Sequence, residues 1–251
     1  MRYDQKYYQN PTNERMVPNS AVQVLKILFE VYKPKSIIDV GCGNGVWLNV
    51  ANSLGVNEFL GIDGKWSGEW NKLPKENYFP CNLEEFKFEK INKKYDLALC
   101  LEVIEHIDND SSILMIKEIT KLSPVILFSA ALPFQGGDHH INENWLDYWK
   151  NYFEKSNYYC FDFIRPQIWN NDDIYWWYRQ NIVLFVNKNS HEYTEISTKL
   201  DLLNIQSFEG LNIVHPQNYF EKLSEVSLRQ SLTILLRSIK RFFRRRLRRL
   251  K

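Results

Sequence analysis

Short, almost unbroken apolar runs alternate with helix-length spans through the first half of the chain, and no other feature restricts the fold as much. Ser36-Ile-Ile-Asp-Val40, Glu58-Phe-Leu-Gly-Ile-Asp63, Tyr95-Asp-Leu-Ala-Leu-Cys-Leu101 and Pro124-Val-Ile-Leu-Phe-Ser129 are such runs, with a shorter one at Tyr78–Pro80. A strand that is apolar on both faces must be covered on both, as in a parallel sheet flanked by helices on each side. Between the strands, apolar spacing and cap residues predict helices over Ser20–Tyr32, with Ser20 as its cap, from Trp47 to Ser53, and over Ser111–Lys121. After Pro133 the alternation stops. A helix is expected over Asn144–Glu154, then two aromatic strands, about Tyr158–Phe163 and Tyr175–Val186.

Four regions follow. Residues 1–19, polar and interrupted by Pro11 and Pro18, read as an irregular arm; residues 20–186 read as one α/β domain. Residues 187–226 carry weak patterning and read as an irregular extension. Residues 227–251 keep a Leu/Ile/Phe stripe at three-to-four spacing opposite an Arg-rich face, a basic amphipathic helix. Charge divides the same way. From Arg229 to Lys251 there are ten Lys/Arg and no Asp/Glu, leaving 22 basic against 30 acidic residues elsewhere, a net of −8. Such a tail suits an anionic membrane surface first, a partner protein second and nucleic acid third. The acidic body argues against extended nucleic-acid contact. No apolar run reaches the ~18 residues of a membrane span, the N-terminus lacks a secretory h-region, and the four cysteines form no CxxC pair. These traits predict a cytoplasmic location, with peripheral contact at the inner face of the membrane through the tail.

The chemistry concentrates where the first strand runs into Gly41-Cys-Gly-Asn-Gly45. Glycines at a strand-to-helix turn let a ligand approach backbone N–H groups near a helix N-terminus. Asp63, closing the second strand, stands where an acid can accept both hydroxyls of an adenosine ribose. Asp39, two residues before the turn, is ill-placed beside a pyrophosphate and well placed beside an ammonium or sulfonium. It speaks against a dinucleotide dehydrogenase.

Together "IIDVGCGNG", "GIDG", "CNL" and "YDLALCLEVIEHI" resemble motifs I to IV of class I S-adenosylmethionine-dependent methyltransferases, over about residues 20–186. The resemblance implies a Rossmann-like seven-stranded, mostly parallel sheet of order 3-2-1-4-5-7-6, with strand 7 antiparallel. It also implies S-adenosyl-L-methionine as cofactor and S-adenosyl-L-homocysteine as product. Asp39, Gly41, Gly43 and Gly45 would lie under the methionine part of the cofactor, and Asp63 would hold the ribose. Asn82 would meet the adenine amino group, Leu83 would offer its backbone N–H to the ring, and Glu102 would lie near the cofactor amino group. Glu105 and His106 read as helix-start residues.

The segment Phe128–Trp149 resembles a subgroup with the signature "FSAAxPxQGGxxHxNExWxxYW" and a later "WYRQN", here Trp177–Asn181. That subgroup is associated with surface-polysaccharide (capsule) biosynthesis, which implies a hydroxyl of a sugar nucleotide or glycan as acceptor. An alcohol profits from a general base. His140, on a Gly-hinged loop after the fifth strand, is the candidate catalytic base. His139, Asn142, Glu143, Trp145, Tyr148 and Arg179 are candidate acceptor contacts. Alternatives remain: Asn142 and Glu143 as helix caps, the aromatic rings as core or lid, and Arg179 as a buried partner of Asp96 or Asp162. No ligand spacing assigns a metal; Asp138, His139, His140 and Glu143 are the group that would hold a divalent one. An RNA or protein methyltransferase and a non-catalytic cofactor-binding subunit are the rival functions.

Overall fold

The computed structural model describes residues 10–224 together with 232 and 235–237. Seven strands form one sheet of order β3-β2-β1-β4-β5-β7-β6: β1 Ser36–Val40, β2 Glu58–Asp63, β3 Tyr78–Pro80, β4 Leu97–Leu101, β5 Val125–Ser129, β6 Tyr158–Phe161 and β7 Val183–Asn187. The pairings from β3 to β5 are parallel, whereas β7 runs antiparallel to both β5 and β6. This is the strand order expected from the motifs. Every residue of β1, β4 and β5 is buried, the reason their sequences show no polar alternation.

Two apolar layers cover the sheet. Ile37, Leu97 and Leu99 face one way, onto α1 (Pro11–Val31), α2 (Val46–Ser53) and α5 (Ile164–Ile168). Ile38, Ala98 and Cys100 face the other, onto α3 (Asn109–Leu122) and α4 (Leu146–Lys155), whose Met115, Ile116, Ile119, Trp149 and Phe153 fill that layer. Each fully buried aliphatic or aromatic side chain contributes about 1.5–3 kcal/mol. Because β1, β2 and β4 run in parallel, their carboxyl ends emerge along one edge, and Asp39 pairs in register with Gly61 on β2 and with Leu99 on β4.

Several boundaries differ from the sequence reading. Residues from Pro11 onward are helical, so the arm expected over 1–19 is part of α1; residues 1–9 lie outside the described region. Asn10 caps α1 by accepting from the Thr12 N–H, and Pro11 sits at the first turn, where its missing N–H costs nothing. Ser20 is not a cap. Its hydroxyl donates to the Met16 carbonyl inside the helix and accepts from the Tyr175 N–H. Pro18 is tolerated within α1 because Ala21, Val24, Leu25 and Leu28 are buried against the sheet. The stretch before β7 is also helical, α6 (Trp176–Asn181), rather than the beginning of the strand. The expected irregular extension holds α7 (His191–Leu202) and α8 (Pro216–Ser224). A second compact unit begins at Pro216 with α8. The tail at 227–251 lies outside the described residues except at 232 and 235–237.

Candidate active site

The carboxyl edge of β1 turns through Gly41, Gly43 and Gly45, all with positive φ (+90°, +52° and +80°). At Gly41 the requirement is steric as well: a Cβ would lie 2.3 Å from Val103 Cγ2. The turn is tied to β2 by Asp63, whose carboxylate accepts from the N–H groups of Gly43 (2.7 Å) and Gly64 (2.6 Å). The Gly41 and Cys42 N–H groups donate to the Ile62 carbonyl, and Cys81 donates to the Asp63 carbonyl at 2.7 Å, which brings Asn82 and Leu83 to the same edge. Asn82 is exposed and caps the turn at 83–85 by accepting from the Glu84 N–H.

Asp39 is buried, its acidity weakened to about 7 first by desolvation and then by the nearby charge of Asp63. Asp63 is raised to about 6, by burial above all, its two backbone donors opposing the rise. Two buried carboxyl groups at a glycine turn are poorly matched to a phosphate and well matched to a cationic ligand with a hydroxylated ring, since the cation relieves both the burial and the mutual repulsion.

Glu102 follows β4 in a left-handed conformation (φ +53°), uncommon for a non-glycine residue. Its N–H donates to the carbonyl and hydroxyl of Ser129 at the end of β5. Its carboxylate accepts from Asn181 Nδ2 (3.1 Å) and Gln135 Nε2 (3.4 Å). Gln180 and Asn181 in turn donate to Gln135 Oε1, at 2.9 and 3.0 Å. The motif at 177–181 and the glutamine before the Gly-Gly pair thus meet on Glu102 through a closed amide network. Burial raises the Glu102 pKa, and its bonds to Asn181 and Ser129 oppose the rise.

In the loop after β5, Glu143 organises the chain. One carboxylate oxygen accepts from the Gly136 N–H (2.6 Å), the other from the Phe134 N–H (2.8 Å). The first oxygen also lies 3.0 Å from His140 Nδ1. A carboxylate only accepts, so Nδ1 carries the proton and, in the neutral ring, Nε2 presents a lone pair. Gly137 is indispensable to this placement, because a Cβ there would stand 2.3 Å from His140 Nε2. The His140 ring meets His106 edge to face, centroids 4.7 Å apart. Glu105 and His106 lie in a short helical turn, Ile104–His106, as the sequence reading had them, and both are buried. Burial holds His106 down at about 4 and pushes Glu105 well above the ordinary carboxylate range, with the Glu102 charge adding to the rise.

The other candidates are placed differently. His139 (φ +60°) is exposed, 3.7 Å from Asp138. Asn142 is buried and donates to Ser112 Oγ at 3.0 Å, bracing the loop against α3. Trp145 is exposed, Trp149 is fully buried in the core, and Trp177 stacks on Tyr175 at 3.8 Å. The Tyr148 hydroxyl donates to Asn109 at 2.6 Å. Arg179 pairs with Asp172 (3.0 Å), not with Asp96 or Asp162. Asp162 is taken by Arg165, and Asp96 accepts from the Lys35 and Ser36 N–H groups. Gln135, Gln180 and Asn181 stand in the two signature segments and Glu105 and His106 in the fourth motif, but the sequence reading gave none of them a role in the site.

Residues 19–181 match the family model described as a methyltransferase domain. The chain belongs to that family. The acidic pair beside the glycine turn suits the cationic methionine part and the ribose of S-adenosylmethionine. Among curated proteins, the chain is similar to ubiquinone biosynthesis O-methyltransferase of Rickettsia typhi, 33% identical over 96 residues that cover 35% of this chain and 37% of the relative. The same enzyme of Rickettsia canadensis is 38% identical over 80 residues, 29% and 32% of the two chains. The chain thus spans about a third of the length of these relatives. Among solved structures, Streptomyces venezuelae DesVI superposes with a TM-score of 0.56 at 9% identity, covering 74% of this chain and all of that one. A putative O-methyltransferase from Nostoc punctiforme gives 0.50 at 10% identity, covering 72% and 59%. Both likenesses concern the fold. No helix among the described residues is long and apolar enough to cross a membrane.

Proposed function

We propose that this methyltransferase acts on a hydroxyl of a small acceptor, a nucleotide-activated or polysaccharide sugar of the kind built into surface glycans, with His140 activating that hydroxyl. The observation that carries this reading is the Glu143–His140 pair, which fixes the imidazole tautomer beside the carboxyl edge of β4 and β5. When bound, S-adenosylmethionine supplies an electrophilic methyl group on a sulfonium. The residues that would hold it are Asp39, Gly41, Gly43 and Gly45 at the methionine end, Asp63 at the ribose, Asn82 and Leu83 at the adenine, and Glu102 at the amino group. His140 Nε2 takes up the proton of the acceptor hydroxyl while the loop aligns that oxygen, and alignment supplies much of the rate in a displacement. Exposed His139 and Trp145 are the acceptor contacts this reading favours; Tyr148 stands further along α4. Curated relatives that are O-methyltransferases support oxygen as the methylated atom; their name also makes ubiquinone-biosynthesis acceptors the second panel to test.

Methyl release measured with a sugar-nucleotide panel tests the reading directly, with turnover on at least one sugar as the expected outcome. Turnover only on ubiquinone precursors, RNA or protein would overturn it. For residues 227–251, the alternation of Arg with Leu and Phe supports contact with anionic membrane. Flotation of full-length protein with anionic liposomes, compared with a chain cut at Ser227, is expected to show lipid binding only with the tail present.

A further inference from the structure

Three potential metal ligands converge in the acceptor half of the site, Glu105 and His106 from the turn after β4 and His140 from the loop that Glu143 organises. One ligand atom from each of Glu105, His106 and His140 lies within 4.8 Å of the other two. Glu105 is fully buried, its carboxylate oxygens make no well-formed hydrogen bond, and the Glu102 carboxyl group is among its neighbours. A buried carboxyl group left in that condition costs free energy unless something cationic or protonated faces it. The side chains near it are the His106 and His140 imidazoles and the Glu102 carboxyl group, and no Lys or Arg ion pair reaches it among the described residues.

His140 adds a second, independent indication. Glu143 sits behind Nδ1 at 3.0 Å, the arrangement in which a carboxylate orients a histidine so that its other nitrogen coordinates a metal. Two imidazoles and one carboxylate suit a first-row divalent cation better than magnesium or calcium, which favour oxygen ligands. With metal–ligand bonds of about 2.0–2.2 Å, ligand atoms stand at most about 4.4 Å apart. The three groups therefore need to close only slightly around an ion.

We propose that Glu105, His106 and His140 bind one first-row divalent cation, with Glu143 as the orienting carboxylate behind His140. In the ion-loaded protein His140 Nε2 coordinates instead of taking the proton itself. An acceptor hydroxyl reaching the open coordination positions has its pKa lowered and releases its proton to water. The proposal deepens the reading of His140 as the activating group, and rests on it for the acceptor's role but not for ion binding. It also relocates the metal site suggested by the sequence, since Asp138 and His139 are exposed and only His140 is shared.

The test uses the full chain, stripped with a chelator, dialysed and titrated with Mn²⁺ by calorimetry, with electron paramagnetic resonance counting free ion. One Mn²⁺ per wild-type chain is expected. Glu105→Gln should weaken binding at least about tenfold, and His139→Gln should leave it unchanged. The Glu105→Gln protein should melt no lower than metal-free wild type, because a neutral amide of the same shape replaces a buried carboxyl group crowded by Glu102. Mn²⁺ should raise the melting temperature of wild type only. No saturable binding by folded wild type, equal affinity in Glu105→Gln, or loss of binding in His139→Gln would overturn the proposal. Neither cofactor nor acceptor enters the titration, so failure of the sugar panel and failure of this site remain distinguishable.

Discussion

At the end of β1 the site is made largely of backbone: three positive-φ glycines, N–H groups donating to Asp63, and strand ends brought level by parallel pairing. Past β5 it is made of side chains that hold one another, Glu143 on two loop N–H groups and His140, and Gln135, Gln180 and Asn181 on Glu102. Backbone geometry of the first kind depends on a few residue types at fixed spacing, so one cofactor cradle can serve many enzymes. A side-chain network of the second kind has to be rebuilt for each acceptor. The contrast explains why the cofactor is legible from a short motif and the acceptor is not.

The largest expected effect breaks the scaffold of the second region. Arg165 is fully buried and paired with Asp162 through two bonds (2.8 and 2.5 Å), while its remaining donors reach the Gln180 and Leu211 carbonyls. Asp162→Ala strands that charge and is expected to cost about 3–5 kcal/mol in urea unfolding. A loss under 1 kcal/mol would show that the acceptor half does not depend on its buried polar groups.

Next comes the chemistry. His140→Ala should lower turnover about 100-fold, or ~2.7 kcal/mol of barrier, while leaving S-adenosylhomocysteine affinity within about twofold. Equal losses in turnover and cofactor affinity would erase the distinction between the two regions.

The cofactor region should instead respond to pH. Asp39 and Asp63 are raised in the fold to about 7 and about 6, above their ordinary 3.8. The folded, ligand-free protein therefore holds protons more tightly than the unfolded chain, and this contribution to stability is lost as pH rises from about 4 to 7. A cationic ligand prefers the ionised pair, so S-adenosylmethionine affinity should rise with pH up to about 7, by at most about tenfold per pH unit for each proton released. Melting temperatures with and without cofactor, taken from pH 5 to 7.5, should diverge as pH increases; a constant gap would place the cation elsewhere. The smallest effect is expected at Tyr148→Phe, whose exposed bond to Asn109 should be worth within about 0.5 kcal/mol.

The order of strands and the glycine turn after β1 were readable because buried parallel strands leave continuous apolar runs and the turn demands glycine. Other features depended on distant contacts. The α1 boundary was hidden by Pro11 and Pro18, which look like breakers until the packing of Leu25 and Leu28 is known. Trp176–Asn181 reads as an aromatic strand, yet it coils into a helix whose last two side chains feed the Glu102 network. His191–Leu202 buries only Glu192, Ile196 and Leu200, too few apolar positions for a clear helical stripe. Glu105 and His106 gain meaning only from His140, thirty-odd residues away in the chain and 4.7 Å away as a ring.

The central claim is that S-adenosylmethionine lies across the carboxyl edge of β1 and β2 with its ribose on Asp63. Calorimetric titration of S-adenosylhomocysteine into wild type and folded Asp63→Ala tests it most directly. Loss of two hydroxyl bonds to a charged acceptor should weaken binding about 10–100-fold or more. Unchanged affinity in the folded variant would contradict the account.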